Sequence, residues 1–320
     1  MKPRLSVALF FATMMIACEK PAGAEKPPLT PKPKPKPAQT LAEARSGFVT
    51  HILREENERE PVEPPPAELF TVVHYPSPAG KLAAYISRIP DEKGKHPAII
   101  WLVGGFGSGI SSIAWTPGEP ANDQSGSTFW RSGIVTMYPS YRGGNDNPGH
   151  MESFFGEVDD VIAAAEFLSK TPGVDPERIY LGGHSTGGTL ALLVAEVSPR
   201  FRAVFALGPV GSVTGYGDKF LFFDTKDKQE AALRAPIRWM QGITSPTFVF
   251  EGETGRSNIS SLRALSAAPH SAVVHFYPVS GADHFSTIQR LSRLFVAKIL
   301  ADKDPARPIS FSPQEIDAAR

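Results

Sequence analysis

Cysteine is nearly missing from this chain: Cys18 stands alone among 320 residues. A single thiol excludes an internal disulfide and any cysteine-based zinc cluster. Charge of one sign is missing too. Thirty-three Lys and Arg balance 33 Asp and Glu, so no electrostatic footprint for nucleic acid is present. No apolar run is long enough to span a bilayer comfortably, and no internal repeat is visible. The glycines around position 185 are not spaced G-x-G-x-x-G, which excludes a dinucleotide-binding turn there. What the chain does have is apolar content, 41% hydrophobic and 10% aromatic. That suffices for one large domain with a substantial core.

The N-terminus reads as an export signal. Lys2 and Arg4 form a positive start and Leu5 to Ala17 a short apolar run. Two processing sites compete. "MIAC" at 15–18 has the form of a bacterial lipoprotein signal, in which Cys18 is lipidated and becomes the new N-terminus. "AGA" at 22–24 has the form of an ordinary cleavage site. The lipoprotein form ranks first, because Cys18 closes the apolar run and Glu19 and Lys20 are awkward just before an ordinary cut. Residues 1–18 are then the signal and 19–40 a Pro/Lys-rich linker. "KPPLTPKPKPKPAQT" can build neither helix nor core. It reads as an extended, solvated polyproline spacer rising about 3.1 Å per residue. These features predict an exported protein, periplasmic or cell-surface, held to the membrane by a lipid.

Residues 41–66 predict an N-terminal helix, running over 40–56, that docks through Phe48, Ile52 and Leu53, then a Pro-rich connection. From 67 to 305 strand and helix patterns alternate, and 306–320 read as a tail. "LFTVVHY" and "KLAAYISRI" flank "PSPAG" as a hairpin. "PAIIWLV" (97–103) is a continuous apolar run, as in a strand buried on both faces. Runs at 133–138, 178–183, 203–207, 246–252 and 272–279 continue the series. Val158, Val161, Ile162, Ala165 and Leu168 mark one helical stripe; Leu190, Leu193, Val194 and Val197 mark another; Ile288, Leu291, Phe295 and Ile299 mark the last. The pattern predicts an α/β fold with a mostly parallel, eight-stranded sheet and helices on both faces. Segment 209–243 is less periodic and is a candidate cap.

Gly183-His184-Ser185-Thr186-Gly187 fits G-x-S-x-G between a strand and a helix. Such a serine sits on a sharp turn with its hydroxyl exposed, and the glycines avoid collisions with neighbouring backbone. Ser185 is the candidate nucleophile. The helix behind it aims free N–H groups at the site, so the Thr186 amide is a candidate oxyanion donor. His284, in "SGADHF" after the last strand, is the candidate base, because Ser precedes His in this arrangement. "GGF" (104–106) follows the first central strand and offers the Phe106 amide as second oxyanion donor, with Gly105 next.

Together these segments resemble the α/β-hydrolase family, in particular the prolyl oligopeptidase-like and dienelactone-hydrolase-like serine hydrolases, over roughly residues 67–303. "YPSYRGGNDNPG", "GEVDDVIAAAEFLSKTPGVDPERIYLGGHSTGG", "SPTFVFEG" and "SGADHF" occur in the family's order. The resemblance implies a Ser–His–acid triad, a covalent acyl-enzyme, and no metal or cofactor. It departs at the acid. Relatives read H-G-x-x-D, whereas "EGETGRSN" puts Gly255 where aspartate is expected. Glu253 is the first substitute, with Glu251 second and Asp218 among the remainder. Arg142, on the same rim, is a pocket candidate or a partner for a carboxylate. No segment reads as the propeller that restricts true prolyl oligopeptidases to short peptides. The expectation is therefore a serine hydrolase acting on a small ester or short peptide, esterase ahead of peptidase. A catalytically weakened hydrolase fold serving as a binding or scaffold protein is the alternative that the missing aspartate motivates. Oligomeric state is not legible.

Overall fold

A computed structural model describes residues 39–320 except 92, 307 and 320. The export signal, Cys18 and the Pro/Lys spacer lie outside the described residues. The remainder forms one compact unit.

The elements run α1 (Leu41–Arg45), β1 (Phe70–Ser77), β2 (Gly80–Ser87), β3 (His96–Leu102), α2 (Ser127–Arg131), β4 (Val135–Pro139), α3 (Gly156–Ser169), β5 (Val174–His184), α4 (Thr186–Val197), β6 (Val204–Leu207), α5 (Lys228–Leu233), β7 (Thr247–Gly252), α6 (Ile259–Ala267), β8 (Val274–Val279), α7 (Ser286–Ala301) and α8 (Pro313–Ala318). One eight-stranded sheet has the order β1-β2-β4-β3-β5-β6-β7-β8. β1, β2 and β4 pair antiparallel, and every pair from β4 to β8 is parallel. The mostly parallel sheet read from the sequence is the one found.

Side chains alternate across it. Ala98, Ile100 and Leu102 of β3 point into a core shared with α3, α4 and α6. Ile99 and Trp101 point into the opposite core, with Phe129 of α2, Phe295 of α7 and Ile316 of α8. The C-terminal segment set apart as a tail is thus packed: Phe311 is buried against Phe205, Phe248, Phe250 and Phe295.

The helix expected over 40–56 is only five residues long. Thr40 and Glu43 close a capping box at its start, but Gly47 takes a φ of 74° and ends it. Phe48 and Ile52 still pack on the core, whereas Leu53 is 61% exposed. Beyond that point and up to β1 the chain is an arm without helix or strand that bonds to the loops after β3 and β4.

α4 lies in the middle of one core and is buried on almost every side. It carries Glu196, only 3% exposed, with neither carboxylate oxygen hydrogen-bonded. Burial holds its pKa well above the usual carboxylate value of 4.5. The fold therefore favours the neutral acid. Stability from this residue is complete below the unfolded pKa and is lost as pH rises above it. Glu196→Met should stabilise the protein by about 1–3 kcal/mol at pH 8. The advantage in thermal melts should shrink towards pH 4.5.

Candidate active site

β5 ends at His184, and α4 begins at Thr186. Ser185 turns between them with φ 56° and ψ −114°, a left-handed conformation that a non-glycine residue adopts only under constraint. The constraint is tight packing at the carboxyl ends of three strands. A Cβ on Gly183 would stand 2.4 Å from the Gly187 carbonyl oxygen. One on Gly187 would stand 2.1 Å from the Leu102 carbonyl of β3, and one on Gly188 2.4 Å from the Leu207 carbonyl of β6. The Ser185 amide donates to that same Leu207 carbonyl at 2.8 Å.

His284 enters from the β8–α7 loop. Its Nδ1 lies 3.0 Å from Glu251 Oε2. Glu251 is 1% exposed at the end of β7. Its other oxygen accepts from the Gly252 amide at 2.9 Å and the Ser257 hydroxyl at 3.3 Å. Gly208, the residue after β6, backs this pair, for a Cβ there would lie 2.4 Å from the imidazole and 2.8 Å from the carboxylate. Leu207 and Gly208 thus touch the serine turn and the His–Glu pair from one corner.

Glu251, ranked second from sequence, is therefore the carboxylate at His284. Glu253, ranked first, is exposed beyond the strand end. The cause is the register of the parallel sheet. β7 remains paired with β8 through Gly252, so residue 251 still faces the interior while 253 has left it. Asp218 lies in the 209–243 segment and accepts from the Thr225 hydroxyl. Gly255, where family members carry aspartate, packs at a φ of 60° beside Asp283. Asp283 caps α7, accepting from the amides of Phe285 and Ser286. The Ser286 amide is the main cause of its lowered pKa.

His184 lies directly beneath the site, fully buried. Its ring is 4.5 Å from that of His284, and its Nε2 lies 2.9 Å from the His284 carbonyl oxygen. Burial first, then the neighbouring His284, lowers its pKa to about 3, so it is a neutral ring that donates to the His284 backbone.

The loop after β3 is braced from several sides. The Gly104 amide donates to Gln124 Oε1 at 3.1 Å. The Gly105 amide donates to the Thr186 hydroxyl at 2.8 Å, and that hydroxyl donates to the Gly105 carbonyl. With its amide already engaged, Gly105 is removed from the oxyanion candidates. Phe106 and Thr186 have no amide hydrogen bond among the described residues, as an oxyanion donor requires before substrate arrives. Glu58, on the N-terminal arm, accepts from the Ser108, Gly109 and Asn145 amides at 2.9, 3.2 and 2.9 Å. Nothing in its sequence context marks Glu58 for this task, because the contact spans about fifty residues or more.

Arg142 is not in the pocket. Its guanidinium forks onto Asp160 with two contacts of 2.9 Å and reaches Glu152 at 2.7 Å. Burial opposes its charge, but Asp160 and Glu152 outweigh it and raise its pKa. Gly156 makes room, since a Cβ there would lie 1.8 Å from the guanidinium.

A serine on a strained strand-to-helix turn, a histidine held by a buried glutamate, and two free amides define a serine hydrolase of the α/β-hydrolase fold. Comparison with known proteins points the same way: residues 123–254 match the prolyl oligopeptidase family, and over that segment the chain is similar to serine hydrolases of that family. It is 30% identical to the uncharacterized peptidase YtmA of Bacillus subtilis over 178 residues, 51% of this chain and 65% of that protein. It is 28% identical to the 4-O-methyl-glucuronoyl methylesterase of Podospora anserina over 121 residues, 36% of this chain and 24% of that one. The acylaminoacyl peptidase of Pyrococcus horikoshii superposes with a TM-score of 0.58 at 17% identity, over 78% of this chain and 44% of its own, which is a likeness of fold.

Removing Arg142 should be costly, because Asp160 is fully buried. Arg142→Ala is expected to lose about 3–5 kcal/mol in urea denaturation. Arg142→Lys should recover only part of it, because one ammonium cannot replace the two-pronged contact with Asp160.

Proposed function

We propose that this chain hydrolyses carboxylic esters of small acyl groups through Ser185, His284 and Glu251. The observation that carries the reading is the pairing of His284 Nδ1 with Glu251. It commits that nitrogen as donor and leaves the Nε2 lone pair as base. Ser185 Oγ attacks the carbonyl carbon while Nε2 takes its proton. The Phe106 and Thr186 amides receive the oxyanion. On collapse of the tetrahedral intermediate the imidazolium returns the proton to the departing alcohol. Water, deprotonated by the same nitrogen, then releases the acid and restores Ser185. Glu251 orients the ring and offsets its positive charge, so the departure from the family's aspartate does not leave His284 without an acid. The weakened binding-protein alternative loses the reason for which it was raised.

The similarity to a methylesterase supports ester substrates. The similarity to a protein described as a peptidase supports amide hydrolysis as the second reading. The N-terminal sequence supports export and attachment through Cys18.

Serine-dependent turnover of p-nitrophenyl acetate or butyrate, exceeding that of a peptide anilide, is the expected result and favours the ester reading. Ser185→Ala should abolish it and block labelling by a fluorophosphonate. Glu251→Gln should lower kcat by about 10²–10⁴, while Glu253→Gln stays near the unmodified rate. Equal loss in both variants would overturn the assignment of the acid. In cells, Cys18→Ala should move the protein from the membrane to the soluble exported fraction.

A further inference from the structure

Beside the serine turn lies a pocket of about 480 Å³, counting its open mouth. Phe106 and Gly105 of the β3 loop and Thr186 and Gly187 of α4 form one side of it. Leu190, Met151, Phe154 and Phe222 are among its other walls. The aromatic rim is organised: Phe106 stacks on Phe220 at 4.0 Å and meets Tyr216 edge-on at 5.4 Å. Ser153 and Phe154 hold consecutive positive φ values of 53° and 72°. This strained turn leads straight into α3 and is where the chain spends conformational energy on a particular wall.

One lining residue does not suit an apolar pocket. Glu157, in the first turn of α3, is the only one with a side chain that carries charge near neutral pH. It is 5% exposed. Its Oε1 accepts from the Glu152 amide at 2.7 Å, while its Oε2 has no hydrogen-bond partner. The neighbouring cations are already engaged: Arg142 by Asp160 and Glu152, Arg234 by Glu230. Two arginines therefore face four carboxylates, and Glu157, the one of the four without an arginine partner, is the one that lines the pocket. A buried carboxylate oxygen without a donor is costly. An incoming donor, above all a cation, would relieve that cost, and the aromatic walls suit an ammonium on an aliphatic stem.

We propose that this pocket receives the acyl part of the substrate and that Glu157 Oε2 selects acyl groups ending in a cation, of which a lysine-type aminoacyl group is the simplest. The inference rests on Ser185 being the nucleophile. It adds a charge preference to a reading that otherwise leaves the acyl group open.

Ionisation of Glu157 gives the preference a pH signature. Burial raises its pKa to about 7, against the opposing effects of its own and the Glu152 amide and of the Arg142 charge. The groups facing it are Arg142, Glu152 and Asp160, Tyr141 just beyond β4, and Arg234 after α5. The carboxylate is neutral below that value and charged above it, so selection for a cation strengthens as pH rises through 7.

The test compares the Nα-benzyloxycarbonyl p-nitrophenyl esters of lysine and norleucine, with an uncharged fluorophosphonate as an independent probe of Ser185. A lysine-to-norleucine ratio of kcat/KM of ten or more at pH 8 is expected, falling several-fold by pH 6. Ionisations that affect both esters alike, including that of the catalytic histidine, cancel in the ratio. Glu157→Gln should bring the ratio close to one. A ratio near one in the unmodified enzyme at pH 8, with Ser185 labelled normally, would overturn the pocket assignment and leave the hydrolase reading standing. A preference for lysine that persists in Glu157→Gln would overturn it equally. Failure of the fluorophosphonate to label Ser185 would instead remove the nucleophile on which both rest. The ratio in the unmodified enzyme and its pH profile need no variant, so the inference is decided even if Glu157→Gln folds poorly.

Discussion

The first turn of α4 approaches the carbonyl ends of β3 and β6 at distances that only glycine allows. Gly183, Gly187 and Gly188 create that approach, and the rest of the site depends on it. It drives Ser185 into the left-handed region, sets its amide on Leu207, and leaves the Thr186 N–H as an unfilled end of a helix. The same corner of β6, through Gly208, limits where His284 and Glu251 can sit. The proposed nucleophile, base and acid come from segments far apart in sequence, yet a few backbone contacts at one sheet edge hold Ser185, His284 and Glu251 in a common frame.

The carboxylate at His284 shows how such a group can shift along the chain without losing its contact with the histidine. The carboxylate is expected in the loop beyond β7. Here it stands on the strand itself, and a longer side chain spans the difference. Moving from loop to strand exchanges mobility for burial: Glu251 is enclosed and accepts from an amide and a hydroxyl as well as from His284. An enclosed carboxylate with several donors is oriented more firmly than one on a surface loop. His184 contributes to the same firmness from below by holding the His284 carbonyl.

The parts legible in the sequence are those set by local pattern. Strands with a period of two, helical stripes, the serine turn and the histidine loop could be read because each is written within a dozen residues. The architecture followed from their order. What could not be read depends on register and long-range contact. Choosing Glu251 over Glu253 required knowing that β7 stays paired for one more residue. Arg142 invited a reading as a pocket residue, but Asp160 and Glu152 claim its guanidinium through contacts visible only when α3 is in place. Gly105 was excluded as an oxyanion donor by a hydroxyl eighty-one positions away. The five-residue α1 shows local propensity overridden, since Gly47 and the partners waiting for the arm outweigh a short amphipathic pattern.

The arm itself has a wider consequence. Between His51 and Glu63 it donates its amides or lends its carboxylates to α5, to the 141–151 loop and to the loop after β3. The segment that matches the prolyl oligopeptidase family, residues 123–254, contains Ser185 and Glu251 but neither His284 nor this brace. The proposed site therefore draws on residues outside the matching segment. A copy of the recognisable segment moved by recombination into another gene would inherit the signature of a hydrolase without its means of action. The supports of the proposed site begin upstream of the first strand, in residues whose distinguishing property is what they hold in place.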